Sequence, residues 1–203
     1  AGAPGLGLAG SLDGTIRVTG SAAAPRAAFS MTGRGIGARA IADLGVTPLT
    51  LAADGGFDGG RVQLTRLTAN SPAGLAVNAK GSVPLSLDGL DVDVSGSVPL
   101  ALANRFVAAQ AGPASGTAKF AAHIAGSAAS PRFSGEASVD GASFAAPLAN
   151  LKLTGIGLHA TLAGASASLD RFSANVSTGG TISGSGKVSL GLGYAGNLAL
   201  RLN

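Results

Sequence analysis

Two histidines, a glycine-rich segment ending in lysine and a pair of aspartates are the residues of this sequence whose types could do chemistry. His123 stands in "KFAAHIAG" and His159 in "LHATL". A metal centre joins imidazoles to thiolates or carboxylates; the chain has no cysteine, and neither histidine has an acidic residue close to it in sequence. Strand parity groups His123 with Lys119, opposite Phe120 and Ile124, and sets His159 opposite Leu158 and Ala160, so both are expected on an outward face. "SGSGKV", Ser183 to Val188, resembles a phosphate loop only superficially. That motif needs a glycine five positions before Gly186 and a hydroxyl residue after the lysine, where Thr181 and Val188 stand. We expect a turn there. "GRGIGAR" lacks the spacing of a dinucleotide fingerprint. Asp91 and Asp93, two apart on a strand, share an outward face and are expected to be solvated rather than to work as an acid/base pair. No serine sits in G-x-S-x-G, and no histidine neighbours an aspartate in sequence. The expectation is a protein that is not an enzyme, without a metal or a cofactor.

The elements that must position any function follow from composition and pattern. The chain has 203 residues, 14 Lys and Arg against 10 Asp and Glu, and 33 glycines, with no Trp and one Tyr. Cations are dispersed singly, as at Arg17, Lys80, Lys152 and Lys187, whereas nucleic-acid platforms cluster them among stacking aromatics. No nucleic-acid partner is expected. Glycine well above its usual share of about 7% argues against a bulky, densely packed interior. Without cysteine there is no disulfide framework. The opening "AGAPGLGLAG" has no Met, basic n-region or long apolar run, so neither a signal peptide nor a spanning helix is expected, and the chain reads as a piece of a longer protein.

Period-two alternation dominates. Ile16 and Val18 in "TIRVT", Leu90, Val92 and Val94 in "LDVDVS", and the leucines of "LKLT", "LHATL" and "LALRL" each mark a half-buried strand. Turn-forming "DGG", "DGL" and "STGG" lie between them, at spacings of about ten residues that suit an antiparallel meander. One short helix is expected at about 99–112, in "PLALANRFVAAQAG", closed by Gly112-Pro113.

The sequence also repeats. "GSAAAPR" from Gly20 returns as "GSAASPR" from Gly126, and Leu64–Leu85 aligns without gaps to Leu169–Leu190, matching Arg66 to Arg171, Asn70 to Asn175, Gly81 to Gly186 and Val83 to Val188. Repeat units are expected at approximately 14–98 and 116–190. Apolar parity is kept through Val62/Ala167, Leu64/Leu169 and Val77/Ile182, so what repeats is a face rather than a site. A sheet with such a face either packs on itself or, if it curls without closing, leaves an apolar groove.

The order Gly96-Ser97-Val98-Pro99-Leu100, Asn104-Arg105-Phe106, Gly116, Gly126, Pro131, Gly135 and Phe144, continued by "LKLTGIGLHATL" and "LDRFSANVSTGGTISGSGKVSL", resembles the translocation and assembly module TamB family, which is AsmA-like in build. The resemblance covers nearly the whole chain, more weakly in the first copy. It implies an all-β, elongated, curled antiparallel sheet forming an open U-shaped trough (a β-taco) with an apolar interior, one domain over 1–203. It further implies a periplasmic segment of a protein anchored in the inner membrane and bridging to the outer membrane. Its partners would be phospholipid acyl chains, an Omp85-type outer-membrane barrel through the full-length protein, and nascent outer-membrane β-strands whose assembly it assists. The "GSAAxPR" turn would be a recurring corner, where Pro25 and Pro131 stop the edge from continuing as a strand. Val92, Val94, Leu151, Leu153, Leu158, Leu162, Ile182, Val188 and Leu190 are expected to line the trough. The alternative from another class is a structural β-solenoid stalk of a secreted or surface protein.

Overall fold

Alternating apolar residues, β-branched residues and closely spaced turns produce an all-β chain. The computed structural model describes residues 9–21, 24–37, 45–105, 112–146, 150–164, 166–189 and 196–203. The strands are β1 (Ala9–Ser21), β2 (Ala24–Gly37), β3 (Leu49–Asp58), β4 (Arg61–Asn70), β5 (Ala76–Pro84), β6 (Asp88–Pro99), β7 (Ala114–Ser115), β8 (Thr117–Ser127), β9 (Ser130–Ala146), β10 (Leu151–Gly164), β11 (Ser166–Val176), β12 (Thr181–Ser189) and β13 (Gly196–Leu202). They are hydrogen-bonded in chain order, except that β7 pairs aside on β9 and β8 follows β6. Among the described residues β1 pairs with β2 alone and β13 with β12 alone, so the sheet they form is open rather than closed into a barrel.

The chain divides into an N-terminal unit, Ala1–Gly96 with His123–Pro131, and a C-terminal unit, Ser97–Ala122 with Arg132–Asn203. In the N-terminal unit, β1 to β5 form an antiparallel meander. β3 and β4 are joined by Gly59 and Gly60, both at positive φ, the conformation a two-residue hairpin loop needs to match strand twist. In the C-terminal unit, β9 to β13 form a second antiparallel meander.

The two meanders repeat one another pair by pair. In the first, Val62 faces Val83, Leu64 faces Gly81 and Leu67 faces Ala79. In the second, 105 residues on, Ala167 faces Val188, Leu169 faces Gly186 and Phe172 faces Gly184. Both carry a register shift at the same place, between Leu64 and Leu67 and between Leu169 and Phe172. A bulge is thus part of the repeat.

The "GSAAxPR" segment is a tight hairpin in both copies. Ser21 Oγ accepts from the Ala24 amide at 3.2 Å and Ser127 Oγ from the Ser130 amide at 3.1 Å, while Gly20 and Gly126 take positive φ just before. Pro25 and Pro131 do not end a strand. Each is its strand's second residue, and in the first copy Pro25 faces Gly20 in register. Proline is tolerated at such a strand start.

Three other expectations are corrected. The region 99–112 holds a 3-10 helix, Leu100–Arg105, and residues 106–111 lie outside those described. Asn104 ties it to β7: its side chain donates to Ala114 O at 3.0 Å and accepts from Ala114 N at 2.8 Å. "SGSGKV" lies inside β12, because Gly184 is roofed by a neighbouring side chain: a Cβ there would lie 2.6 Å from Leu200 Cδ2. "DGL" opens β6, and the chain turns before it, at Leu85–Leu87.

Candidate functional site

Each unit has one apolar and one polar face, and the apolar face is the candidate site. In the N-terminal unit the cross-strand rows are Ile16–Phe29–Gly55–Leu64–Gly81 and Gly14–Met31–Ala53–Leu67–Ala79. Large side chains lean over glycines: a Cβ on Gly55 would lie 2.7 Å from Phe29 Cζ, and one on Gly14 the same distance from Met31 Cγ. Val92 and Val94, on β6, are half-buried with Leu90, alternating with exposed Asp91, Asp93 and Ser95.

In the C-terminal unit the rows are Val139–Leu158–Phe172–Gly184–Leu200, Gly135–Leu162–Ala167–Val188–Gly196 and Ala174–Ile182–Leu202. Leu153 faces Phe144 on one side and Val176 on the other, and Leu151 faces Ala146. The structure therefore brings Leu151, Leu153, Leu158, Leu162 and Ile182 to the rows as half-buried residues. Val188 is exposed, near the end of β12. Leu190 lies outside the described residues.

Among the described residues the buried apolar ones are Val46, Val139, Ala142 and Ala174, and no bulky side chain is fully buried. Two sheets facing across about 10 Å would bury the leucines and phenylalanines between them. Among the described residues, no second layer lies over the apolar face within either unit. Such a face favours any apolar cover by about 25 cal/mol per Å² removed from water.

The polar face of the N-terminal unit is laced across strands. Ser30 donates to Asp54 at 2.7 Å, and Arg66 reaches the other Asp54 oxygen at 2.7 Å; the serine bond first, then the arginine, hold this carboxyl below its ordinary value. His123 Nδ1 is 2.9 Å from Asp93 and its Nε2 is 3.8 Å from Asp91. In the C-terminal unit His159 Nδ1 is 3.2 Å from Asp170 and its Nε2 is 3.6 Å from Glu136. Thr161 donates to Asp170 at 2.5 Å, and that bond leads the causes lowering the Asp170 carboxyl.

Both histidines therefore have the acidic companions that the sequence reading did not find. The carboxylates come from adjacent strands and are invisible to sequence distance; only register would have found them. No group of three such side chains among the described residues is arranged to hold a metal ion. Compared with protein-family models, with curated proteins and with solved structures, the chain matches none. No helix among the described residues is long and apolar enough to cross a membrane.

Proposed function

We propose that this chain is a periplasmic segment of a TamB-like bridge between the inner and outer membranes, carrying phospholipid acyl chains along its apolar face. The observation that carries the reading is an apolar face built from strand after strand with, among the described residues, no fully buried bulky side chain. Acyl chains need many weak apolar contacts and no particular polar group, which agrees with rows in which parity is kept and side-chain size varies. The mechanism is a surface rather than a catalytic centre, and an Omp85-type barrel would be met by the full-length protein. The antiparallel meander argues against the β-solenoid stalk, whose coils stack as parallel strands.

The test is mass spectrometry of lipid extracts from the domain purified without detergent, beside Leu153→Arg. Leu153 lies between Phe144 and Val176, so the variant sets an unpaired cation among apolar neighbours. Phospholipid in the parent and its depletion in a folded variant are expected. An empty parent, or unchanged occupancy in a folded Leu153→Arg, would sink the proposal.

A further inference from the structure

Among the described residues the large apolar side chains most open to water stand on β1, β12 and β13, with two exceptions. Leu85 and Leu87, 66% and 51% exposed, form the turn between β5 and β6, inside the strand order. Such turns ordinarily take Gly, Asn, Asp or Ser. Leu87 has a φ of 58°, a left-handed conformation that a bulky side chain resists. The other described residues at positive φ are glycines and Asn150. The backbone at Leu87 is nonetheless held on both sides, its amide donating to Pro84 O at 2.9 Å and its carbonyl accepting from the Ala128 amide at 2.8 Å. The turn thus keeps leucine against local preference and against water. The pattern also returns in the sequence, where Leu190-Gly191-Leu192 follows the second copy of the repeat as Leu85-Ser86-Leu87 follows the first.

The neighbours leave these leucines as a projecting tip. On one side Leu85 N donates to Gly60 O at 2.8 Å, and Gly59 and Gly60 carry no side chain to shield it; a Cβ on either would meet nothing within 4 Å. On the other side the Ser127–Ser130 hairpin presents exposed Ala128 and Ala129. Leu85 has the parity of Gly81 and Val83, so the apolar row of β5 runs on into the tip. The charges close by cancel. Arg26 pairs with Asp58 at 3.2 Å, Arg61 faces Pro84 and donates to Ser82 Oγ at 2.8 Å, and Asp88 opens β6.

We propose that Leu85 and Leu87 insert into the interfacial layer of a phospholipid bilayer. A protein partner would need far more surface: stable protein interfaces bury about 1,200–2,000 Å², and a tip of two leucines and two alanines offers a small part of that. A bilayer asks only for apolar side chains that leave water together at a projecting point. With the neighbouring charges balanced, the contact is weak, reversible and indifferent to headgroup charge and salt. Insertion of the tip is independent of what the apolar face carries. A lipid held along that face is read in extracts of the purified protein, whereas the tip is read in vesicles offered from outside.

The chain has 14 Lys and Arg against 10 Asp and Glu, so anionic vesicles would attract it through its dispersed cations. The probe is therefore zwitterionic phosphatidylcholine vesicles in large excess. Leu85→Ser combined with Leu87→Gly removes both side chains, and glycine suits the positive φ at 87, so denaturant unfolding should find the variant no less stable than the parent. The parent is expected to float with the vesicles at low and high salt alike, and the double variant to lose that binding roughly tenfold or more. Ser86→Cys gives a single thiol in a chain without cysteine. A polarity-sensitive dye on it should report a drier setting when vesicles are added, and the same dye on Ala73→Cys, in the turn at the other end of β5, should not. A parent that stays in the buffer, a folded double variant that floats equally, flotation abolished by salt, or a Ser86 label that responds no more than the Ala73 label would overturn the proposal.

Discussion

In the N-terminal unit Asp54 faces Arg66 across β3 and β4, and in the C-terminal unit His159, in the same slot 105 residues on, faces Arg171 across β10 and β11. Beside each slot the register slips: Asp54–Arg66 is followed by Gly55–Leu64, and His159–Arg171 by Ala160–Leu169. Thr65 is the residue left over in the first case and Asp170 in the second. The first unit keeps its carboxylate in the slot, where Ser30 and Arg66 reach it. The second moves it to the bulge, where Thr161 and His159 reach it. The apolar side changes too, since Ala53 opposite Leu67 becomes Leu158 opposite Phe172, and Phe57 opposite Val62 becomes Leu162 opposite Ala167. Backbone register and parity are held, while size and charge drift. That is what an apolar face needs, since it calls for apolar area rather than for particular residues.

The slot shared by Gly55 and Ala160 gives the sharpest way to break this equivalence. A Cβ on Gly55 would run into Gln63 O and the Phe29 ring, whereas Ala160 already carries one. Gly55→Ala should cost about 1–3 kcal/mol by overpacking, and Ala160→Gly only about 0.5–1 kcal/mol. Denaturant unfolding would measure both, and equal costs would mean that the two slots are packed alike.

A smaller effect is expected from the hydroxyls. Asp54 and Asp170 have lowered pKa values in the fold, so each adds stability above its unfolded pKa that is lost as pH falls through the folded one. Ser30→Ala and Thr161→Val should raise the pKa of Asp54 and Asp170 respectively, read by carbon NMR titration. Their deficit in stability should be present near neutral pH and fade as the pH falls below the unfolded pKa and through the lowered folded values. A deficit that persisted in acid would point to lost packing instead.

The smallest change should come from transplanting the polar arrangement. His159→Asp combined with Asp170→Thr rebuilds the Asp54, Thr65 and Arg66 pattern around Arg171. Exposed pairs of this kind contribute little, so thermal melts should barely move. A large loss would show that His159 and Asp170 carry structural weight beyond that of their counterparts.

The sequence pattern made the fold class legible because alternation at Leu90, Val92 and Val94 or along "LALRL" reports strand and face together. The repeat was legible from Gly81 and Gly186, which both sit where another strand's backbone passes close. Elsewhere local chemistry misled. Glycines in "SGSGKV" suit a turn, but a long-range neighbour, Leu200, fills the space over Gly184. Helical spacing at Leu100 and Leu102 persisted only as a 3-10 turn, held by Asn104 on Ala114. Five of the nine expected lining residues fall in the apolar rows of the C-terminal unit as half-buried residues, and Leu151 and Leu153 share a side with Leu158 and Leu162 because the register slips between Thr154 and Gly157. The histidine–carboxylate contacts depend on register between strands, which composition and spacing do not encode.

Successive pairing along most of the chain has a consequence for how the protein is made. β2 finds β1, β3 finds β2, and so on through β6, then again from β9 to β13. Within each stretch a strand's template has already left the ribosome when that strand emerges, and the loop to be closed is a single hairpin. Contacts so local in sequence keep the entropy of each closure small. Each stretch can therefore assemble in order of synthesis, one hairpin at a time, without waiting for its last strand.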